Sequence, residues 1–336
     1  MSMQQNSNWQ AVLQKIIQPT RERQRLASAL GVNTITLTRW ARADSRPQRS
    51  YLALLVKVVQ PQQRAELLNA LLAAYPDMQD KLLEETAESI PPSFFRHVLQ
   101  ERASINEILR RHHLSTMIMN EVLHLLDPNL LGMAVTAALC MPPVNGKILS
   151  LREQGGRGTA PWTADLEHKA IFLGLNSLAG HVVQSGRADS IVDVREEHYI
   201  PAFAYPEHLE VSAAAAPIWL EGKIAGCLLA ASTQRGHFTQ NRIDLLSNFA
   251  NLYTLALSPG DFYEHRLVQL RYIPQPPHQD AYLSSFRQRV TRLMAEAGRL
   301  GKALSSAEAE LCAWQEIEEQ LIRIGPELDD AELQGN

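Results

Sequence analysis

The sequence predicts a multidomain protein with an all-α head, an α+β middle domain built on an antiparallel sheet, and a C-terminal α-helical coiled-coil region. Residues 9–75 carry apolar side chains at helical spacing, interrupted at Gly31 and Pro47. Residues 130–258 change to short strand-like runs with helical stretches between them, the order expected of an α+β fold. Residues 280–325 return to helical spacing.

The domain boundaries follow from these changes of period. We expect a helical domain over 1–76, a helical connector over 77–127, the α+β domain over 128–258, and a linker with C-terminal helices over 259–336. A length of 336 residues is enough for two or three domains, and a hydrophobic content of 45% allows each to bury a core.

Cysteine usage and hydropathy exclude several classes of protein. Cys140, Cys227 and Cys312 are far apart and show no C-x-x-C spacing, so we expect neither a disulfide framework nor a cysteine zinc site. The first ten residues lack the pattern of a signal peptide, and no apolar run reaches the roughly 18 residues of a membrane helix. The sequence therefore predicts a soluble cytoplasmic protein with no membrane contact.

The charge is unevenly distributed. Residues 1–60 contain nine Lys and Arg against two acidic residues, a net charge of +7, so the whole-chain charge of −4 leaves −11 for the remainder. A cationic head on an acidic body indicates that a polyanion contacts one end only.

The head contains a glycine between two short amphipathic helices. Gly31 can adopt the left-handed conformation that ends the first helix, and Asn33 is a suitable N-cap for a second helix over 34–43. Leu37 and Trp40 are three residues apart, so both can face inward and leave a polar, cationic face outside. This pattern predicts a helix-turn-helix, whose second helix enters the major groove of DNA.

The stretch from Leu26 onward resembles the XRE-type (repressor/Cro-like) regulators. The matching pattern is LA-x-x-LGV followed by RW-x-R, within a resemblance of about 60–70 residues. It differs at Arg23, where Gln is common, and at Ala43, where Gly usually closes the second helix. The resemblance implies a five-helix DNA-binding domain.

The resemblance assigns base contacts to the start of the second helix, which here carries Asn33, Thr34, Ile35, Thr38 and Arg39. Arg39 is the candidate for guanine, because two of its donors match O6 and N7. The candidate phosphate ligands are Arg23, Arg42, Arg46 and Arg49. The alternative is a cationic helical face that binds nothing. One such domain buries little DNA surface, so we expect a dimer on a near-palindromic site.

The connector carries a row of residues, here called the dimer seam, that is predicted to pair two copies of the chain. Five of its members recur every seven residues, and the other two occupy the neighbouring row of the same helical pattern. The alternative is that the row packs on its own domain. The dimer seam consists of Val98, Ile105, Ile108, His112, Met119, Val122 and Leu126.

The C-terminal region carries a heptad repeat between residues 283 and 314. Gly298 and Gly301 weaken the repeat, and Ser305 with Glu308 forms a potential capping box for a second helix. The pattern predicts a coiled coil or an antiparallel helical hairpin.

The middle domain resembles GAF domains over roughly residues 115–258. The matching motifs are AG-x-V-x-x-x-G with a later Asp in 179–193, P-I-x-x-x-G-x-x-x-G in 217–226, and Ser232 followed by Phe238. The resemblance implies an antiparallel sheet with helices on both sides and dimerisation through the helices over 93–126 and 240–257. Many family members bind a small molecule between sheet and loops, while others only dimerise.

The position of these motifs gives candidate ligand-binding residues. Aromatic walls with a few polar groups suit a planar organic ligand, although the alternative is that Phe203 and Tyr205 belong to the core. The candidates are Trp162, Asp193, Phe203, Tyr205 and Ser212.

No catalytic or metal-binding constellation is evident. The three cysteines lack the clustering or cationic surroundings of reactive thiols. Glu121 and His124 share a helix face, but a metal site requires more ligands, so no metal cofactor is expected. The glycines at 155, 156 and 158 lack the spacing of a phosphate loop. We therefore expect a non-enzyme.

These expectations define one main function and one alternative. The main prediction is a DNA-binding transcriptional regulator whose GAF-like domain senses a small molecule, dimerises, or does both. Its expected partners are double-stranded DNA, a second copy of the chain, a small-molecule effector, and RNA polymerase or another protein. The alternative is an interaction scaffold that recruits a protein and binds DNA weakly and without sequence preference.

Overall fold

The computed structural model describes residues 9–75, 89–166, 171–194 and 209–334, with side chains as far as residue 324 except those of residues 53, 61, 62 and 65. The chain divides into two compact units, Met1–Glu88 and Ser89–Asn336. Among the described residues, none of the helices has the length and apolar character needed to span a membrane.

Over its described residues, 9–75, the first unit contains five helices around one apolar core. Leu13, Leu37 and Leu55 have no exposed surface and belong to the same cluster. The helices are α1 (Trp9–Ile16), α2 (Thr20–Leu30), α3 (Thr34–Ala41), α4 (Arg49–Val58) and α5 (Pro61–Ala74).

Ala43 adopts a backbone conformation that favours glycine. Its φ is 61°, and the turn is closed by hydrogen bonds from the Ala43 N–H to Trp40 O (3.1 Å) and from the Asp44 N–H to Arg39 O (2.9 Å). A Cβ in the left-handed region costs about 1 kcal/mol. We therefore expect Ala43→Gly to stabilise the first unit by roughly 1 kcal/mol, measured by hydrogen exchange of the α1 and α4 amides.

The exposed helical residue Ala29 provides the control for this change. Ala29→Gly should destabilise the same unit by about 1 kcal/mol, because glycine is unfavourable inside a helix. Equal destabilisation by both substitutions would show that the backbone at Ala43 is not strained.

The second unit is built on a seven-stranded antiparallel sheet in the order β3-β2-β1-β6-β5-β4, with β7 paired to β6. The strands are β1 (Met133–Cys140), β2 (Leu151–Gly158), β3 (Phe172–Leu173), β4 (Asp189–Ile191), β5 (Ser212–Leu220), β6 (Lys223–Ser232) and β7 (Tyr263–Glu264). Its helices are α6 (Pro92–Ser104), α7 (Glu107–Leu126), α8 (Leu178–Ser185), α9 (Gln240–Tyr253), α10 (Pro276–Leu283), α11 (Phe286–Arg299) and α12 (Ser306–Gln334).

The two faces of the sheet bury separate apolar clusters. Alternation along β1 sends Val135 and Ala137 to the face covered by α7 and α9, here called the α7–α9 face. It sends Ala134 and Ala138 to the opposite face, which α8 covers together with the segment around Trp162, and which is here called the α8 face.

The dimer seam is the first prediction that the structure corrects. Val98 and Val122 have no exposed surface, and Met119 and Leu126 are buried in the same cluster on the α7–α9 face. A side chain in the core of its own unit cannot line an interface between chains. The prediction is therefore wrong for these four residues, and the alternative that they pack on their own domain is correct.

The remaining dimer-seam residues lie at or beyond a helix break. Helix α6 ends before Ile105, and a new cap begins at Asn106, whose side chain accepts a hydrogen bond from the Ile108 N–H at 3.0 Å. The predicted single helix is thus two helices, and the seven-residue repeat does not continue across them. Ile108 is 86% exposed, and His112 is also exposed.

The C-terminal repeat is likewise divided. Gly301 has a φ of 66°, and the Ser305–Glu308 capping box is present, with the Ser305 N–H donating to Glu308 Oε2 at 2.8 Å and the Glu308 N–H to Ser305 Oγ at 3.3 Å. Helices α11 and α12 pack side by side as a hairpin within the chain, with the rings of Phe286 and Trp314 stacked at 3.9 Å.

The buried row of α12 also differs from the predicted one. Ala309, Ala313, Ile317 and Leu321 have no exposed surface, whereas Leu311 of the predicted row is 38% exposed. The row is buried because it faces its own unit: the Ser150 hydroxyl donates to Glu318 on α12 at 2.6 Å. The linker and C-terminal helices therefore belong to the same unit as the sheet, as does the connector from residue 89 onward.

Candidate functional site

The first candidate site is the outer surface of α3, which is held in place by caps at both ends. Gly31 has a φ of 66°, and its N–H donates to Ser28 O at 3.2 Å, which ends α2. Asn33 then caps α3 by accepting a hydrogen bond from the Ile35 N–H at 3.0 Å. Leu37 and Trp40 are buried in the core, as predicted, so the helix orientation is fixed by packing.

The predicted base-contacting residues differ in exposure and in whether their side chains already form hydrogen bonds within the chain. Ile35 is 67% exposed and Arg39 is exposed. Thr34 and Thr38 are half-buried, and the Thr38 hydroxyl donates to Thr34 O at 2.9 Å. Asn33 uses its side-chain oxygen for the helix cap. The two side chains that project fully from α3 are therefore Ile35 and Arg39.

The predicted phosphate ligands lie around this surface. Arg42, Arg46 and Arg49 are exposed, and Arg23 is half-buried, with Nη2 donating to Thr20 Oγ1 at 3.5 Å. Within the described part of the chain, Arg42 and Arg46 form no ion pair, so both guanidinium groups are available to an anion.

The second candidate site is the α8 face of the sheet, where three polar side chains are buried among apolar ones. Glu153 on β2 lies opposite Ala138 on β1, and Thr136 lies opposite Leu229 on β6, so both side chains point to this face. Trp162 is buried in the same cluster. Among the described residues, the Trp162 indole N–H lacks a hydrogen-bond partner, and the Glu153 carboxyl group and the Thr136 hydroxyl have only each other within reach.

The buried carboxyl group of Glu153 has an unusual proton affinity. Burial raises the pKa of Glu153 to about 8, and the nearby Thr136 hydroxyl offsets part of that rise. A carboxyl group with such a pKa changes its charge near neutral pH, which is common at binding sites.

Two thiols lie on the same face. Burial raises the pKa of Cys140 to about 12 and raises the pKa of Cys227 well above its usual value. Both thiols therefore stay neutral, and within the described residues no group of three His, Cys, Asp or Glu side chains is suited to hold a metal ion.

The predicted ligand-binding residues do not form one site. Trp162 lies on the α8 face, but Ser212 alternates with Ala214 and Ala216 on the α7–α9 face, and its hydroxyl donates to Gln234 O at 2.7 Å. The buried Asp193 pairs with Arg235, at 3.5 Å from Oδ2 to Nε. Ser212 is thus on the wrong side of the sheet to join Trp162. Phe203 and Tyr205 lie outside the described residues.

Glu153 and Thr136 are the residues that the sequence interpretation missed. The available signal was the alternation itself, because Leu151 and Glu153 occupy the same side of one strand. A charged residue at an inward position of a buried strand is rare without a partner.

A cavity of about 270 Å³ lies on the other side of β2, against α7. Arg111, Gln154 and Arg157 line it, but Arg111 donates two hydrogen bonds to Asp261 (2.5 and 2.6 Å) and Arg157 pairs with Asp165 at 3.1 Å. The two arginine side chains that line this cavity are therefore already paired with carboxylates of the same chain.

The comparisons with known proteins concern the second unit. The GAF domain family model matches residues 118–258. The chain is similar to the GAF domain of an Acinetobacter phosphoenolpyruvate-protein phosphotransferase, with 17% identity over 49% of this chain and 90% of that chain and a TM-score of 0.34. It is also similar to the free methionine-R-sulfoxide reductase of Neisseria meningitidis, with 16% identity over 49% and 84% and a TM-score of 0.34.

A third similar structure is the GAF-B domain of DevS from Mycobacterium smegmatis, with 18% identity over 44% of this chain and 91% of that chain and a TM-score of 0.30. No curated protein sequence matches the chain. The family match covers strands β1 to β6, helices α8 and α9 and the second half of α7. Residues 118–258 of this chain are a GAF domain.

Proposed function

We propose that the chain is a DNA-binding transcriptional regulator whose GAF domain senses a small molecule and supports dimerisation. The observation that carries the proposal is the surface of α3. The helix is capped by Asn33, fixed by Leu37 and Trp40, and presents Ile35 and Arg39 outward. Arg42 and Arg46, which form no ion pair among the described residues, follow it in a part of the chain with a net charge of +7.

Each residue has a distinct role in this proposal. Arg39 donates to guanine O6 and N7, and Ile35 contacts a thymine methyl group. Arg42, Arg46, Arg49 and Arg23 contact phosphates, which sets register and salt dependence but carries no sequence preference.

Dimerisation is supported by an apolar surface on α6 and α7. Phe95 and Leu99 are 40% and 55% exposed, and Ile108 and Leu109 are 86% and 60% exposed. Four exposed large apolar side chains on consecutive helices are typical of an interaction surface. We propose that a second copy of the chain covers them, since two DNA-binding heads are needed for high affinity.

Selection of bound sequences from random double-stranded oligonucleotides, using the full chain, tests the proposal. We expect a near-palindromic motif with half-sites one or more helical turns apart, about 34–36 Å per turn. A single half-site would contradict the dimer. Steep salt dependence with no enriched motif would favour the interaction scaffold instead.

Arg39→Ala is the sharpest variant for this experiment. Loss of a bidentate guanine contact should cost about 1–3 kcal/mol on the selected site and remove the preference at one base position. Arg46→Ala is the matched control, because loss of a phosphate contact should weaken binding to all sequences evenly and lower the salt slope by about 1. If Arg39→Ala keeps the full sequence preference, Arg39 does not contact a base.

We also propose that the chain is a regulator and not an enzyme. The two thiols of the GAF domain are held neutral by burial, as their raised pKa values indicate, and a neutral buried thiol is a poor nucleophile.

A further inference from the structure

We propose that Glu153 binds the positively charged group, a primary amine or a guanidinium, of the small molecule that the GAF domain senses. The inference rests on the sensing role proposed above and names the chemical class of its ligand.

The first argument is the unpaired carboxylate itself. Glu153 is 2% exposed, and within the described chain the polar group that acts on its carboxyl oxygens is the uncharged Thr136 hydroxyl, with no cation beside it. A buried ionised carboxylate is very unfavourable unless a charge and hydrogen-bond donors compensate it. A ligand that supplies both would remove this penalty, and the released free energy would add to its affinity.

The second argument is that the two arginines of strand β2 point away from Glu153 and interact with other residues. Arg152 lies opposite Leu139 and Arg157 opposite Val135, so both point to the α7–α9 face, away from Glu153. Arg152 stacks over the Trp314 ring at 4.4 Å, and Arg157 pairs with Asp165. Neither arginine of the strand therefore compensates Glu153, and only burial and the Thr136 hydroxyl act on its pKa, with no cation of the described chain contributing.

The third argument is the chemistry of the surrounding face. Thr136 supplies a hydroxyl group beside Glu153 that can accept or donate, and Trp162 supplies an indole N–H that has no partner among the described residues. The remaining surface is small and apolar, with Ala138, Ala179 and Cys227 fully buried there. A few polar groups on an apolar wall are typical of a site for a small organic molecule.

An anionic ligand does not fit this face, because Glu153 would repel it once ionised. Among the described residues, the other titratable groups packed on this face are the thiols of Cys140 and Cys227 and the phenol of Tyr263, and burial raises the pKa of each, so none of them supplies a charge near neutral pH. Because the pKa of Glu153 is raised to about 8, cation binding should release a proton and strengthen as the pH rises toward 8.

The test uses the full chain and three probes: 2-phenylethylamine, agmatine and the neutral isostere 2-phenylethanol. Binding is measured by calorimetry and by the shift in unfolding temperature at pH 6.5 and 8.5. We expect at least one cation to bind the native chain more tightly at pH 8.5, with 2-phenylethanol binding at least 10-fold more weakly than the amine. Glu153→Gln should lower the affinity for the cation at least 30-fold and remove the pH dependence.

Glu318→Gln is the matched control, because Glu318 is also a buried carboxyl group, with its pKa raised by burial to about 7, but lies on the C-terminal helix α12. This variant should bind the cation as the native chain does. The proposal is overturned if neither cation binds the native chain, if the cation binds Glu153→Gln equally, or if 2-phenylethanol binds as tightly as the amine. Oligonucleotide selection with Glu153→Gln in the absence of probe separates the proposed DNA binding from the proposed cation binding. A failure of DNA binding appears in that selection and not in the calorimetry.

Discussion

Gly226→Ala is expected to unfold the GAF domain. Gly226 on β6 has a φ of 144°, a conformation almost restricted to glycine, and a Cβ at this position would lie 2.1 Å from Ala138 O and 2.7 Å from Leu139 Cα. Both contacts are backbone atoms of the neighbouring strand β1, so no side-chain rotation can relieve them. We expect a loss of more than about 4 kcal/mol, seen as lost hydrogen-exchange protection in β1 and β6.

Gly222 in the same predicted motif is the control. It occupies the β5–β6 turn with a φ of 76°, and an added Cβ meets nothing within 4 Å. Asparagine tolerates the left-handed region, so Gly222→Asn should cost less than about 1 kcal/mol. Equal losses from the two substitutions would show that the contact with β1 does not decide the result. The first unit should keep its protection in both variants, because it has its own core.

The local structure of the head was predictable because its signals are local. The left-handed Gly31, the Asn33 cap and the inward Leu37 and Trp40 each depend on a few neighbouring residues, and all four are confirmed. The conformation of Ala43 was less accessible, because alanine is normally helical, whereas here it has a positive φ in a turn closed by hydrogen bonds to Trp40 O and Arg39 O.

The partners of amphipathic helices were not predictable from their periodicity. The row containing Val98, Met119 and Val122 indicates that these side chains face an apolar surface. Packing against the sheet of the same chain and packing against a second chain require the same apolar periodicity, so the pattern does not distinguish them. The buried face of the C-terminal helix was not predictable for the same reason. Ala309 and Ala313 are fully buried there, whereas the larger Leu311 is 38% exposed, so side-chain hydrophobicity did not identify the buried face.

The candidate ligand site was only partly predictable because it depends on strand pairing. The run GKILSLRE over residues 146–153 indicates a strand, yet the strand begins at Leu151 and contains three glycines, which are poor strand formers. Without the register, the side of Glu153 cannot be assigned. Pairing with β1 places it opposite Ala138, and pairing of β5 with β6 places Ser212 on the other side.

The stability of the ligand-free second unit is expected to fall as the pH rises from about 4.5 to 8. Burial raises the pKa of Glu153 from 4.5 to about 8, so over this range the folded chain keeps a proton that the unfolded chain has lost. The folded state then binds more protons than the unfolded state, and its free energy of unfolding decreases by roughly 1.4 kcal/mol per pH unit. Above pH 8 both states have lost the proton and the decrease ends.

Glu318 allows the two buried carboxyl groups to be separated. Burial raises its pKa from 4.5 to about 7, and the hydrogen bond from Ser150 opposes that rise, so Glu318 adds a similar slope only below pH 7. The free energy of unfolding in urea, monitored through hydrogen exchange of the β1 and β6 amides, should therefore fall more steeply with pH below pH 7 than between pH 7 and 8. Glu153→Gln should abolish the fall between pH 7 and 8, whereas Glu318→Gln should reduce only the part below 7. Parallel curves for the native chain and Glu153→Gln would mean that Glu153 is not buried in the unliganded protein as the structure places it.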